Sequence, residues 1–154
     1  MKPLDLIETA KILLTSNTRK PTSVSCRRAV SACYYALFHC IAKECANLLI
    51  GGTGADRSNE AWRQVYRALE HNHAKGQCEK VSGKGFPQEI EDFASAFVTM
   101  QKKRHDADYD PFARFVKSSV QTDILLAEGA VNSLMSAPKK DRRAFCAWVL
   151  LKKR

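Results

Sequence analysis

The alternation of apolar and polar residues that marks a half-buried strand is missing from this chain; nothing keeps a period of two for long. Charge-free apolar runs of membrane-spanning length are missing too, because Lys43 and Glu44 interrupt the best one. There is no internal repeat and no low-complexity linker. The opening MKPLDLIETAKILL carries Asp5 and Glu8 inside its apolar stretch, which makes a poor secretory signal and a reasonable amphipathic helix. These absences lead to the expectation of an all-α, cytoplasmic protein with no membrane partner.

Disulfide spacing is also missing. Cys26, Cys33 and Cys40 recur every seven residues on what reads as one helix, so neighbours lie ~10.5 Å apart along its axis. A disulfide requires Cα atoms about 4.4–6.8 Å apart. The six cysteines therefore read as small core residues in a reducing compartment. No Ser-His-Asp order, paired-carboxylate pocket or nucleotide-binding fingerprint points to a familiar enzyme class. Gly51-Gly52-Thr53-Gly54 lacks the Gly-Lys-Ser/Thr ending of a phosphate loop and has no strand before it, so it reads as a helix stop. His71, His73 and Cys78 in HNHAKGQC offer three metal ligands without a fourth at a recognisable spacing, and a polar helix end explains them better. No metal and no cofactor are expected.

What is present is helical. The 154 residues, 45% hydrophobic, suffice for one domain with its own core. Apolar periodicity predicts a bundle of about five helices. The first spans about Leu4 to Thr15, with Leu4, Ile7, Ala10 and Leu14 as its stripe. A turn follows over Asn17 to Pro21, with Thr18 and Thr22 as capping residues. The second helix runs to about Ile50, with Tyr34, Leu37, Phe38 and Ile41 buried. The third covers about Ser58 to Ala74, and Gly76 to Gly85 reads as a loop. The fourth starts at Pro87 and ends near Asp108; the fifth runs from after Pro111 to about Met135, with Phe112, Phe115, Val116 and Leu125 on its apolar face. The bundle is expected to occupy residues 1–136 and a short basic C-terminal segment residues 137–154. From Pro138 onward seven Lys and Arg face one Asp, so this segment carries +6 of the net +9.

The second helix is unusual. Between Ser31 and Ala42 it contains no charge, as expected of a helix central to its fold. Yet Arg28, Ser31, Tyr35 and His39 are spaced to share one face. Buried polar groups require partners, and RHDADYDP around Arg104 offers them. Arg104 and Asp108 are four apart and can pair with one another. Such a network either fixes the register of two packed helices or forms a cleft site. In the second case Arg104 holds a phosphate, and Tyr109 or His39 adds a polar contact.

RRAVSACYYALFH followed far downstream by RHDADYDP resembles the HEPN domain, a helical module of prokaryotic nucleotide-binding and toxin systems. The matching residues are Arg28, Ser31, Tyr34, Tyr35, Ala36, Phe38 and His39, then Arg104, Ala107, Asp108 and Tyr109. The resemblance covers residues 4 to 136. It implies a homodimer and a nucleotidyltransferase partner encoded beside or fused to the module. Nuclease members carry an Arg followed about a turn later by a His, which together form a ribonuclease site across the dimer. Here Arg104 matches the arginine, but Asp108, Tyr109 and Asp110 stand where the histidine is expected, and His105 points to a different face.

The implied function is a binding module acting with RNA, a nucleotide or a nucleotidyltransferase partner in a toxin–antitoxin or defence system. The alternative is a metal-independent ribonuclease toxin that uses Arg104 and a non-standard proton-transfer group, with Asp108, Tyr109 and His39 as candidates. The candidate binding residues are Arg28, Tyr35 and Arg104, and in the basic segment Lys139, Lys140, Arg142 and Arg143. There, Phe145 and Trp148 either stack on bases or pack the segment onto the bundle, and packing is the better reading.

Overall fold

A computed structural model describes residues 1–16 and 20–154. Among these the chain forms seven helices and no strand: α1 (Pro3–Thr15), α2 (Ser23–Leu49), α3 (Asn59–Ala68), α4 (His71–Cys78), α5 (Gln88–Tyr109), α6 (Lys117–Ser136) and α7 (Lys139–Leu150). The expected cap Thr18 and its neighbour Asn17 lie outside the described residues. Thr22 does cap α2, its Oγ1 accepting from the Ser25 N–H at 3.0 Å. Ser58 caps α3 in the same way, through the Ala61 N–H at 3.2 Å.

The nearly charge-free α2 is the axis of the bundle and packs against α1, α3, α5, α6 and α7. Its Ala29, Val30, Cys33, Tyr34, Ala36 and Leu37 are fully buried. Facing them are Ile7 and Ala10 of α1, Phe93, Phe97 and Met100 of α5, and Val120, Ala127 and Leu134 of α6, all without exposure. The six cysteines are buried as free thiols, and burial pushes those of Cys33, Cys40 and Cys78 up to about 12. α2 stops where a glycine is needed. Gly51 has φ +135°, and a Cβ there would lie 2.7 Å from that of Ala55.

Two elements depart from the sequence reading, Phe38 is half-buried rather than buried, and the C-terminal segment takes the packed arrangement that is the better reading of its sequence. The expected third helix is broken, because Leu69 and Glu70 are extended (ψ 121° and 129°) and divide α3 from α4. No glycine or proline marks that break. Instead Leu69 turns inward, 5% exposed, and α4 leaves α3 to pack on α5 and α7. The helix after Pro111 starts only at Lys117, and Phe112, Val116 and Leu125 are exposed rather than buried. The C-terminal segment is an integral helix, with Phe145 at 0% and Val149 at 1% exposure. Trp148 donates its indole N–H to the Gln77 carbonyl at 2.8 Å, and Gln77 donates back to the Trp148 carbonyl at 2.9 Å.

Candidate functional site

Two arginines join α2 to the end of α5. The first is Arg27, whose guanidinium donates to the carbonyls of Ala107 (2.8 Å), Asp110 (2.8 Å) and Ala113 (2.6 Å), with longer contacts to those of Asp106 and Pro111. It also lies over the Phe115 ring at 5.7 Å. These bonds close the last turn of α5 and hold residues 110–116 in a non-helical path. The Asp110 carboxylate completes the turn by accepting from the Phe112 N–H at 2.8 Å.

The second is Arg104, one helical turn before the C-terminal turn of α5. Its side chain is 14% exposed, and its one ion pair among the described residues, to Asp108 Oδ2, is long at 3.7 Å. Its guanidinium lies over the rings of Tyr34 (5.1 Å) and Tyr35 (5.9 Å). Its Nε is buried without a hydrogen-bond partner among the described residues. One turn earlier, Gln101 Oε1 is also buried and unpartnered, although the same amide donates to Asn72 at 3.2 Å. Leaving such groups unpaired costs free energy. The other oxygen of Asp108 accepts from the Ser31 hydroxyl at 2.6 Å.

Around Arg104 the aromatic residues form a ladder. Tyr35 stacks on His39 at 6.1 Å, His39 on Tyr66 at 5.8 Å, and Tyr66 on Trp62 at 5.2 Å. Arg57 covers the far end, 4.9 Å from the Trp62 ring. Two tyrosine–histidine contacts tie the ladder to α3 and α4: His39 Nδ1 lies 2.6 Å from the Tyr66 hydroxyl, and His71 Nδ1 lies 2.6 Å from that of Tyr34. Burial lowers the pKa of both histidines, and the Arg104 charge lowers that of His71 further. Burial raises the Tyr34 hydroxyl, against the pull of Arg104. Neutral partners make Tyr34 the donor and His71 Nδ1 the acceptor, which leaves the ring proton of His71 on Nε2.

The structure thus brings Ser31, Tyr35, Arg104 and Asp108 together. His39 joins them through Tyr35 and not by contact with Arg104. Arg28 is exposed, and the neighbouring Arg27 takes the partners on α5 instead. Both positions, three and four residues before Ser31, adjoin its face, and the α5 terminus lies on the side of Arg27. Tyr109 is 67% exposed and turned toward His105, with ring centroids 5.1 Å apart.

In the basic segment, Lys139, Lys140 and Arg143 are exposed. Arg142 differs: it reaches the buried Glu44 at 2.7 Å and the Ala137 carbonyl at 3.0 Å, which places it inside the bundle rather than on a free basic face. His71 was missed as a member of the site. Its neighbours His73 and Cys78 go elsewhere, His73 toward the Leu151 carbonyl and Cys78 into the core.

No helix among the described residues is long and apolar enough to cross a membrane. Compared with known proteins, the chain matches no family model, no curated protein and no solved structure.

Proposed function

We propose that this is a HEPN-like binding module of the cytoplasm that engages RNA or a nucleotide through Arg104. In this reading it acts as a homodimer with a nucleotidyltransferase partner in a toxin–antitoxin or defence system. The observation that carries the proposal is the unfilled state of Arg104. A guanidinium has five donors in a planar fork that suits phosphate. Here it is mostly buried, laid on two tyrosine rings, and holds one long ion pair. The ladder of Tyr35, His39 and Tyr66 backs it with stacked rings that fix its surroundings. The exposed Arg28, Lys139, Lys140 and Arg143 add long-range attraction to phosphates, which salt screens.

Titration of a fluorescent single-stranded RNA with the protein tests this. Binding should weaken steeply with salt, and Arg104→Ala should reduce it about tenfold or more, the effect of losing a charge-assisted phosphate contact. Equal binding by wild type and Arg104→Ala would remove the proposal.

A second reading, the ribonuclease toxin, is favoured by one observation. His71 and Arg104 both touch Tyr34, so an imidazole stands beside the arginine despite the missing histidine downstream. This reading expects cleavage of mixed cellular RNA that disappears in both Arg104→Ala and His71→Ala, with the fold intact. Intact RNA after prolonged incubation with wild-type protein would leave the binding module alone.

A further inference from the structure

We propose that Cys45 and Cys146 are a hydroperoxide-sensitive thiol pair, which oxidation joins in a disulfide that ties α2 to α7. Cys45 lies ten residues beyond Tyr35 on α2, ~15 Å further along its axis. The pair is therefore apart from the Arg104 site, and its assignment does not depend on what that site binds.

Among the described residues, no second thiol acts on Cys26, Cys33, Cys40 or Cys78. Cys45 and Cys146 differ. Their thiols hydrogen-bond to one another, and Cys45 Sγ lies 3.9 Å from the Cys146 carbonyl. Both line one cavity of about 70 Å³ between α2 and α7, walled by Leu48 and Leu150. The cavity reaches the surface at Leu49, Arg143 and Leu151, which are exposed. Such a space holds water-sized molecules. Hydrogen peroxide is little larger than water and fits; a bulky disulfide oxidant does not.

The surroundings divide the roles. The hydrogen bond with Cys45 and then burial push the Cys146 thiol up, so Cys146 keeps its proton and directs it at Cys45. Glu44 pushes the same thiol up and Arg142 pulls it down, but these two charges are paired with one another. Cys45 is then the sulfur that releases its proton to water, and the Arg143 cation at the cavity mouth favours the thiolate. The thiolate attacks one peroxide oxygen and the O–O bond breaks. Hydroxide leaves, takes up the released proton and becomes water, while Cys45 becomes a sulfenic acid. The Cys146 sulfur then attacks the Cys45 sulfur. The S–S bond forms, the S–O bond breaks, and the hydroxyl leaves as water with the Cys146 proton. Two thiols are oxidised and one peroxide is reduced to two waters.

Peptide mapping of the reduced protein after treatment with equimolar hydrogen peroxide tests the assignment. Trypsin should release residues 44–57 and 144–152 as one joined species, lighter than the two peptides by two hydrogens. Dithiothreitol should separate them. The cross-linked protein should unfold at a higher urea concentration than the reduced protein, because the bond closes a long loop in the unfolded chain. Cys146→Ala should leave a sulfenic acid on Cys45 that dimedone captures, whereas Cys45→Ala should give no capture at Cys146. Separate recovery of the two peptides from peroxide-treated wild type would overturn the pair, whether another cysteine is oxidised or none is. That result needs no variant, so it decides the matter even where a substitution prevents folding. Dimedone capture at Cys146 in Cys45→Ala, with none at Cys45 in Cys146→Ala, would overturn the division of roles.

Discussion

Arg27 and Arg104 lie within reach of the same helix end and do opposite things. Arg27 spends its guanidinium on backbone carbonyls and an aromatic ring. Arg104 rests on two rings, keeps a buried Nε unpaired and has one long ion pair. Such an arginine is a staple, since both of its terminal nitrogens are committed to backbone carbonyls. An unsaturated one has been carried into a desolvated place with its internal compensation incomplete, a cost that a ligand can offset. Arg142 belongs with Arg27, because the Glu44 carboxylate and a carbonyl hold it at short range.

The largest break in this comparison should come at the staples. Arg142→Ala leaves Glu44, 5% exposed, as an unpaired buried charge, and should cost about 3–5 kcal/mol in a urea unfolding measurement. A loss below about 1 kcal/mol would mean that α7 is only loosely docked. Arg27→Ala removes several charge-assisted bonds to partly solvated carbonyls and should cost about 2–3 kcal/mol. It should also raise amide exchange over residues 110–116. Protection unchanged there would show that the loop does not depend on Arg27.

Smaller effects follow from the histidines. Unfolding restores both His39 and His71 to an ordinary value of about 6.5, and folding lowers both. The unfolded chain then binds more protons around and below that pH, so stability is full above it and falls as the solution is acidified toward the lowered folded values. Urea midpoints should therefore drop between pH 7.5 and pH 5, and a His39→Gln, His71→Gln double variant should flatten the curve. A stability that rises on acidification would contradict this assignment. The smallest effect sharpens the contrast from the other side. Asp108→Asn removes the one counter-charge of Arg104 while keeping an acceptor for Ser31, so RNA should bind a few-fold tighter. Weaker binding would make Asp108 part of the ligand contact instead.

How far the sequence could be read depends on the kind of signal. Periodicity located α1, α2 and α5 to within a residue or two, because their apolar stripes are long and their ends carry Thr22, Pro87 and the Gly51 stop. It misplaced the start of α6, since Phe112, Phe115 and Val116 fit the helical repeat, and only the carbonyls held by Arg27 show why the chain stays extended there. The α3–α4 break had no local signal either; it follows from Leu69 turning into the core. That break is also why spacing does not assign His71 to the site, because it reorients the histidine toward Tyr34. The polar face of α2 gave Ser31 and Tyr35, but spacing alone does not choose between Arg27 and Arg28. Glu44, an acid inside the otherwise apolar α2 beside only Lys43, finds its cation in the distant Arg142, a pairing that spacing does not reveal.

The central claim is that Arg104 is a ligand-holding group and Arg27 is not. The most direct measurement compares RNA affinity for wild type, Arg104→Lys and Arg27→Lys at one salt concentration, with melting temperatures taken alongside. The account predicts that Arg104→Lys, which keeps the charge but loses the planar fork, weakens binding about tenfold with little change in melting, whereas Arg27→Lys lowers melting and leaves affinity near wild type. The reverse pattern, affinity following Arg27 and stability following Arg104, would contradict it.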